Sequence, residues 1–200
     1  MQQHRSITDS AVEIRADGDT KTISGYAAVF NSLSNNLGGF RETIAPDAFA
    51  RSLKEIKAGT RAVSARIQHD GGLSTIGTTA NGSLQLSVDA TGLRYDIVEP
   101  PDTTAARDIM TLVDGGYISK SSFAFQIPEG GASWDFATEP PTQRLLDVDL
   151  IDVAPVDGPA YEATTVEARS ETMARMEADR PKPNGPTVAQ RMMELNKLRL

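Results

Sequence analysis

No cysteine occurs among the 200 residues, and that absence removes disulfides, thiolate zinc sites, iron–sulfur clusters and cysteine nucleophiles together. Histidine is nearly as scarce. His4 and His69 are the two present, so any imidazole chemistry has two seats. No apolar run approaches the roughly 18 residues a membrane span needs, and the opening Met1-Gln2-Gln3-His4-Arg5-Ser6 has no apolar stretch of a secretory leader. The expectation is a cytosolic chain with no membrane partner. Positive charge is in deficit, with 20 Lys and Arg against 27 Asp and Glu for a formal charge of −7. Phosphate contacts want clustered basic residues, so a nucleic-acid-binding body is not expected. P-loop spacing is also missing, and His69-Asp70 alone supplies too few ligands for a metal.

What is present suits a folding chain: 39% hydrophobic and 24% charged residues are ordinary for a globular protein. The length allows one domain and a tail. From Val166 to Leu200 seven Lys and Arg face five acids, a net of +2 that leaves −9 on residues 1–165. Arg180-Pro181-Lys182-Pro183-Asn184-Gly185-Pro186 cannot continue a helix or enter a sheet, and residues 180–186 are read as a linker. Beyond it Thr187-Val188-Ala189-Gln190 has capping-box form, with Val188, Met192 and Leu195 following at helical spacing. The reading is an N-terminal segment, 1–19, a body, 20–165, and a helical tail, 166–200, whose apolar stripe needs a partner.

The body reads mostly as strands. Ile23 to Phe30, Leu84 to Val88 and Leu93 to Ile97 alternate or are rich in β-formers, with Asn81-Gly82 and Thr91-Gly92 as turns. Two helices interrupt them. One begins near Asp47 and shows Phe49, Leu53 and Ile56; the other has Asp102 or Thr103 as N-cap, then Ala106, Ile109, Met110 and Val113, and ends at Gly115-Gly116. Strands with few helices imply a mainly β or α+β fold, or a barrel, rather than a doubly wound sheet.

Three places break the patterning. Val63, Ala65 and Ile67 alternate with Ser64, Arg66 and Gln68, and His69 falls on the apolar face of that strand. It is either an inert, hydrogen-bonded core histidine or a neutral imidazole held as a general base. In Arg144 to Val156 the apolar phase Leu146, Val148, Leu150 is continued by Asp152, while Asp147 and Asp149 take the other face. A carboxylate in that phase must be paired, so Asp152 either orients a histidine or makes a plain salt bridge with an Arg. In Gly115 to Ile127, Phe123, Phe125 and Ile127 share one face and Ser122, Ala124 and Gln126 the other. Ser122, beside small Ala124, can present its hydroxyl in a groove; Ser121 and Ser119 compete with it, and serines are common in turns. A serine hydroxyl needs a base, and His69 is the one histidine of the body. The third member is then an acid, unless His4 folds back.

The ordered segments Gly25-Tyr26-Ala27-Ala28-Val29-Phe30-Asn31, Phe40 to Phe49, Gln68-His69-Asp70, Ile76-Gly77, Gly92-Leu93, Pro101-Asp102-Thr103, Gly116 to Phe125, Asp152 to Val156 and Pro159-Ala160-Tyr161 resemble the prohead maturation proteases of tailed phages of the HK97 type. The resemblance spans about residues 20–165. It implies a serine endopeptidase with a β-barrel and peripheral helices similar to the herpesvirus assemblins. It also implies His69 as base, Ser122 as nucleophile and Asp152 as the third member, with no metal or organic cofactor. Three positions depart from the family pattern: Lys120-Ser121-Ser122 stands where Gly-Met-Ser is common, Asp152 where Glu is frequent, and Ala154 where serine is usual. By the same resemblance the enzyme is packaged inside the immature capsid in the host cytoplasm, cuts major capsid protein and scaffold, and digests or associates with itself. The tail would recruit it to scaffold or pack on the barrel, with residues 180–186 as a self-cleavage zone. The rival is a non-enzymatic scaffold or capsid-interior assembly protein.

Overall fold

A computed structural model of the chain describes residues 2–7, 12–18, 20–158 and 166–181. Twelve strands and three helices occur among them: β1 (Gln3–Ile7), β2 (Glu13–Asp17), β3 (Thr20–Val29), β4 (Arg41–Ile44), α1 (Ala50–Lys57), β5 (Ser64–Arg66), β6 (Thr75–Thr78), β7 (Leu84–Val88), β8 (Gly92–Val98), α2 (Thr104–Asp114), β9 (Lys120–Gln126), β10 (Ala132–Asp135), β11 (Thr142–Leu145), β12 (Asp149–Val156) and α3 (Val166–Asp179). The fold is mainly sheet, of the expected mainly β or α+β kind. Its described strands make three open sheets, ordered β1-β9-β12-β5-β6, β2-β3-β8-β7 and β10-β11-β4. No hydrogen-bonded ring closes among the described residues, so the barrel of the sequence reading is not seen as such.

The first sheet is built on β9, where every residue from Ser121 to Phe125 is buried. A strand apolar on both faces belongs in the interior of a layered structure, and β9 lies between antiparallel β1 and β12. Phe123 stacks on Phe125 at 4.8 Å between ring centroids and meets Phe49, the N-cap of α1, edge-on at 5.4 Å. Burying one such ring stabilises the fold by about 1.5–3 kcal/mol. The second sheet packs on this same face of β9, farther along the strand, through a close approach at Gly25. A Cβ there would stand 2.8 Å from Ser121 Oγ and 2.9 Å from Tyr95 Oη. Glycine at this point of β3 leaves room for the buried hydrogen bond between those two hydroxyls, 3.0 Å.

Local signals set several elements as read. Thr103 caps α2 by accepting from the Ala106 N–H, and Gly115 ends it. The β7–β8 hairpin turns through Asp89, whose carboxylate accepts from the Thr91 and Gly92 N–H groups. Other elements come from pairing across distance. β1 joins β9 rather than standing apart, and β4 runs parallel to β11. Around β12 the expected phase holds at Val148, Leu150 and Asp152, all buried, and fails at Leu146, which lies outside the strand and is exposed; a bulge falls between Leu150 and Asp152. From Asp152 to Val156 every residue is buried. Asp147 and Asp149 are not simply solvated; both bind the Arg51 guanidinium of α1, at 2.7 and 2.9 Å. In α3, Met176 and Thr172 are buried against the body, and Gln3 Nε2 donates to Thr172 Oγ1 at 3.4 Å. The proposed helix at 187–200 and most of the linker lie outside the described residues.

Candidate active site

His69 is not on a strand. β5 stops at Arg66, and Ile67–His69 forms a single 3-10 turn in which Gln68 (φ 55°) and His69 (φ 62°) both take the left-handed conformation. Two successive L-residues in that region cost about 1–2 kcal/mol each, and neither carries the glycine that usually announces such a turn. The alternation up to Ile67 therefore predicted the buried positions Val63 and Ala65 correctly but ran on too far. The physical effect of the turn is to swing the imidazole off the line of β5, across its parallel neighbour β12 and toward β9.

There His69 meets the other two residues. Its Nε2 lies 2.6 Å from Ser122 Oγ, and its Nδ1 lies 2.5 Å from Asp152 Oδ1. These partners are 53 and 83 positions away in sequence. An ionised carboxylate only accepts, so Nδ1 carries the proton and Nε2 is left with its lone pair facing the hydroxyl. Ser122 then donates to Nε2, and His69 Nδ1–H donates to Asp152. Ser122 sits in register with Ala154 of β12, and Asp152 with Ala124 of β9. Small alanines thus stand opposite both polar residues. Ser122 and Asp152 have no exposed surface, and the His69 side chain keeps 8% of its own. In a medium drained of water the hydrogen bonds of this chain strengthen, and each member would be costly without the next.

The competing serines go elsewhere. Ser121 points to the opposite face of β9, into the hydrogen bond with Tyr95. Burial holds that phenol well above its ordinary pKa, so it stays neutral and offers no base to Ser121. Ser119 is exposed before β9 begins, and its carbonyl accepts from the Val12 N–H. His4 lies on β1 in register with Ala124.

Arg66 is the residue that sequence reasoning did not single out. Its Nη1 donates to Asp152 Oδ2 at 3.3 Å, so each carboxylate oxygen has its own cation or donor. Asp152 contacts both of the partners weighed for it, a histidine and an arginine. Alternation had already placed Arg66 on the polar face of β5, but the pairing of β5 beside β12 is a tertiary fact.

An alcohol hydrogen-bonded to imidazole, with a carboxylate on the far nitrogen, can give up its proton as it attacks a carbonyl. The class defined by such an arrangement is that of hydrolases working through a serine ester. A sequence model of the Caudovirus prohead serine protease family matches residues 10–179, and the chain belongs to that family. It is a serine endopeptidase of phage capsid maturation. No curated protein and no solved structure matches it.

Proposed function

We propose that Ser122, His69 and Asp152 are the catalytic triad of this endopeptidase. The observation that carries the reading is the unbroken pair of short hydrogen bonds through His69, 2.6 Å to Ser122 and 2.5 Å to Asp152. Ser122 Oγ attacks the scissile carbonyl while Nε2 takes its proton, giving a tetrahedral adduct. The adduct collapses to an ester on Ser122, and the imidazolium returns the proton to the departing amine. A water, deprotonated in turn by Nε2, hydrolyses the ester and restores the hydroxyl. Asp152 holds the ring in its Nδ1–H form and stabilises the imidazolium through both proton transfers.

The substrates are scaffold and major capsid protein within the immature capsid, assembled in the host cytoplasm, with self-cleavage clearing the enzyme afterwards. Family membership supports this assignment, as does the short Pro-rich stretch at 180–186 beyond a packed α3, a good place for a cut that spares the body. Kinship of the strand-rich body with the herpesvirus assemblins is part of the same reading, supported by peripheral helices around a buried nucleophile strand. A surviving protease body used only for assembly has no observation in its favour, since each triad contact is intact.

The test is fluorophosphonate labelling combined with co-expression. Wild-type protein should label at one serine and cleave co-expressed capsid and scaffold proteins, while Ser122→Ala should do neither and keep the wild-type melting temperature. Full activity or labelling in Ser122→Ala removes the assignment.

A further inference from the structure

We propose that Arg66 is a positioning residue of the active site: it holds the outer oxygen of Asp152 and sets the basicity of His69. This rests on the triad reading and adds a fourth member to it. Asp152 is fully buried and is gripped at Oδ1 by His69 and at Oδ2 by Arg66. Arg66 and His69 bracket the left-handed turn, one ending β5 and the other closing the 3-10 turn. Because both fasten to one carboxylate, they pin the strained Gln68 and His69 backbone from its two ends.

The contact is looser than the forked, two-bond arrangement in which a guanidinium matches a carboxylate. Arg66 makes a single 3.3 Å contact, its side chain keeps about a third of its surface (31%), and its Nε–H is enclosed with no hydrogen-bond partner among the described residues. One oxygen of Asp152 is thereby left entirely to the imidazole. Asp152 is faced by Arg66 from β5, by His69 from the turn, and by uncharged Ala124 from β9. Lys120 stands at the start of β9 in register with Val156, and Asp70, next to His69, is solvent-exposed. Arg66 is therefore the cation that offsets the aspartate's field at the imidazole. Without it, the full negative charge acts on His69, the protonated ring is favoured, and the base is lost at a higher pH.

The experiment measures the rate of fluorophosphonate labelling of the full chain against pH, for wild type, Arg66→Gln and Arg66→Lys, with melting temperatures alongside. In Arg66→Gln the acid limb moves up by about one pH unit and the plateau falls roughly tenfold. Arg66→Lys keeps the charge, so its limb stays within about 0.3 unit of wild type while its plateau drops two- to threefold. A merely structural arginine lowers the melting temperature and leaves the limb in place. A glutamine variant with an unmoved limb overturns the inference. If that variant does not fold, a full-unit displacement in Arg66→Lys overturns it alone. Wild-type protein that does not label, or labelling that persists in Ser122→Ala, removes the triad reading itself, a separate result.

Discussion

Two carboxylates are buried among the described residues, Glu42 and Asp152; each meets an arginine, and the two pairs are built differently. Arg5 of β1 meets Glu42 of β4 through two parallel bonds, Nε to Oε1 at 2.7 Å and Nη2 to Oε2 at 2.9 Å. Its guanidinium also lies 5.3 Å from the Phe125 ring centroid. Both side chains are nearly without exposed surface. That pair is forked, and Arg5 Nη2 also donates to Gln3 Oε1 at 2.6 Å, so the guanidinium ties three side chains together. Arg66 and Asp152 make a longer, single contact and divide the carboxylate with His69. The first pair fastens the edge strand β1 to the body. The second divides its carboxylate between the His69 Nδ1–H and Arg66, and it stands where the backbone is strained. The first pair serves shape; on the proposed triad the second serves reactivity.

The sharpest way to break this contrast is at the second pair. His69→Ala or Ser122→Ala should lower kcat/KM by a thousandfold or more with the fold intact, read by cleavage of co-expressed capsid protein and by melting temperature. Asp152→Asn should cost about 10³-fold, less than total loss, because the ring is misoriented rather than missing. Its acid limb should move opposite to that of Arg66→Gln. Removing the negative charge disfavours the imidazolium, so the limb shifts to lower pH, visible in the labelling rate of whatever activity remains.

At the first pair the effect should fall on stability. Arg5→Met strands the Glu42 carboxylate and should cost about 3–5 kcal/mol in denaturant unfolding, while folded protein keeps the wild-type limb. Adding Glu42→Leu should recover most of that loss, since an apolar pair of similar volume needs no desolvation. A double variant no more stable than the single one would show that the pair does more than fasten β1. The mildest change is Thr103→Ala at the α2 cap, about 1 kcal/mol of stability with no effect on labelling.

The parts of the fold that could be read in advance are those specified by neighbours in sequence. α2 was bounded on both sides because Thr103 and Gly115 act on their own helix, and the Thr91-Gly92 turn because Asp89 accepts from those same two N–H groups. β9 was legible from its Phe-x-Phe pattern, although burial of both its faces was not. Elements fixed by distant partners were missed. Nothing near Arg41 or Thr142 announces that β4 and β11 will lie parallel, and nothing near Gln3 announces β1. The site divides in the same way. Ser122, His69 and Asp152 were named from the scarcity of bases, one misplaced carboxylate and a family resemblance. The turn that brings His69 to them was invisible, because Gln68 and His69 hold a conformation their residue types do not favour. Arg66 was invisible because its role exists only once β5 lies beside β12.

Ser122 has no surface in contact with water. A polypeptide chain is bulkier than a water molecule, so it reaches that oxygen only after the surrounding segments part. With Ser122 as the proposed nucleophile, turnover on a protein substrate should follow how often and how widely they separate, and a compact phosphonylating reagent should react faster than any protein substrate. Ranked by size, reagents should react in order of bulk before they react in order of electrophilicity.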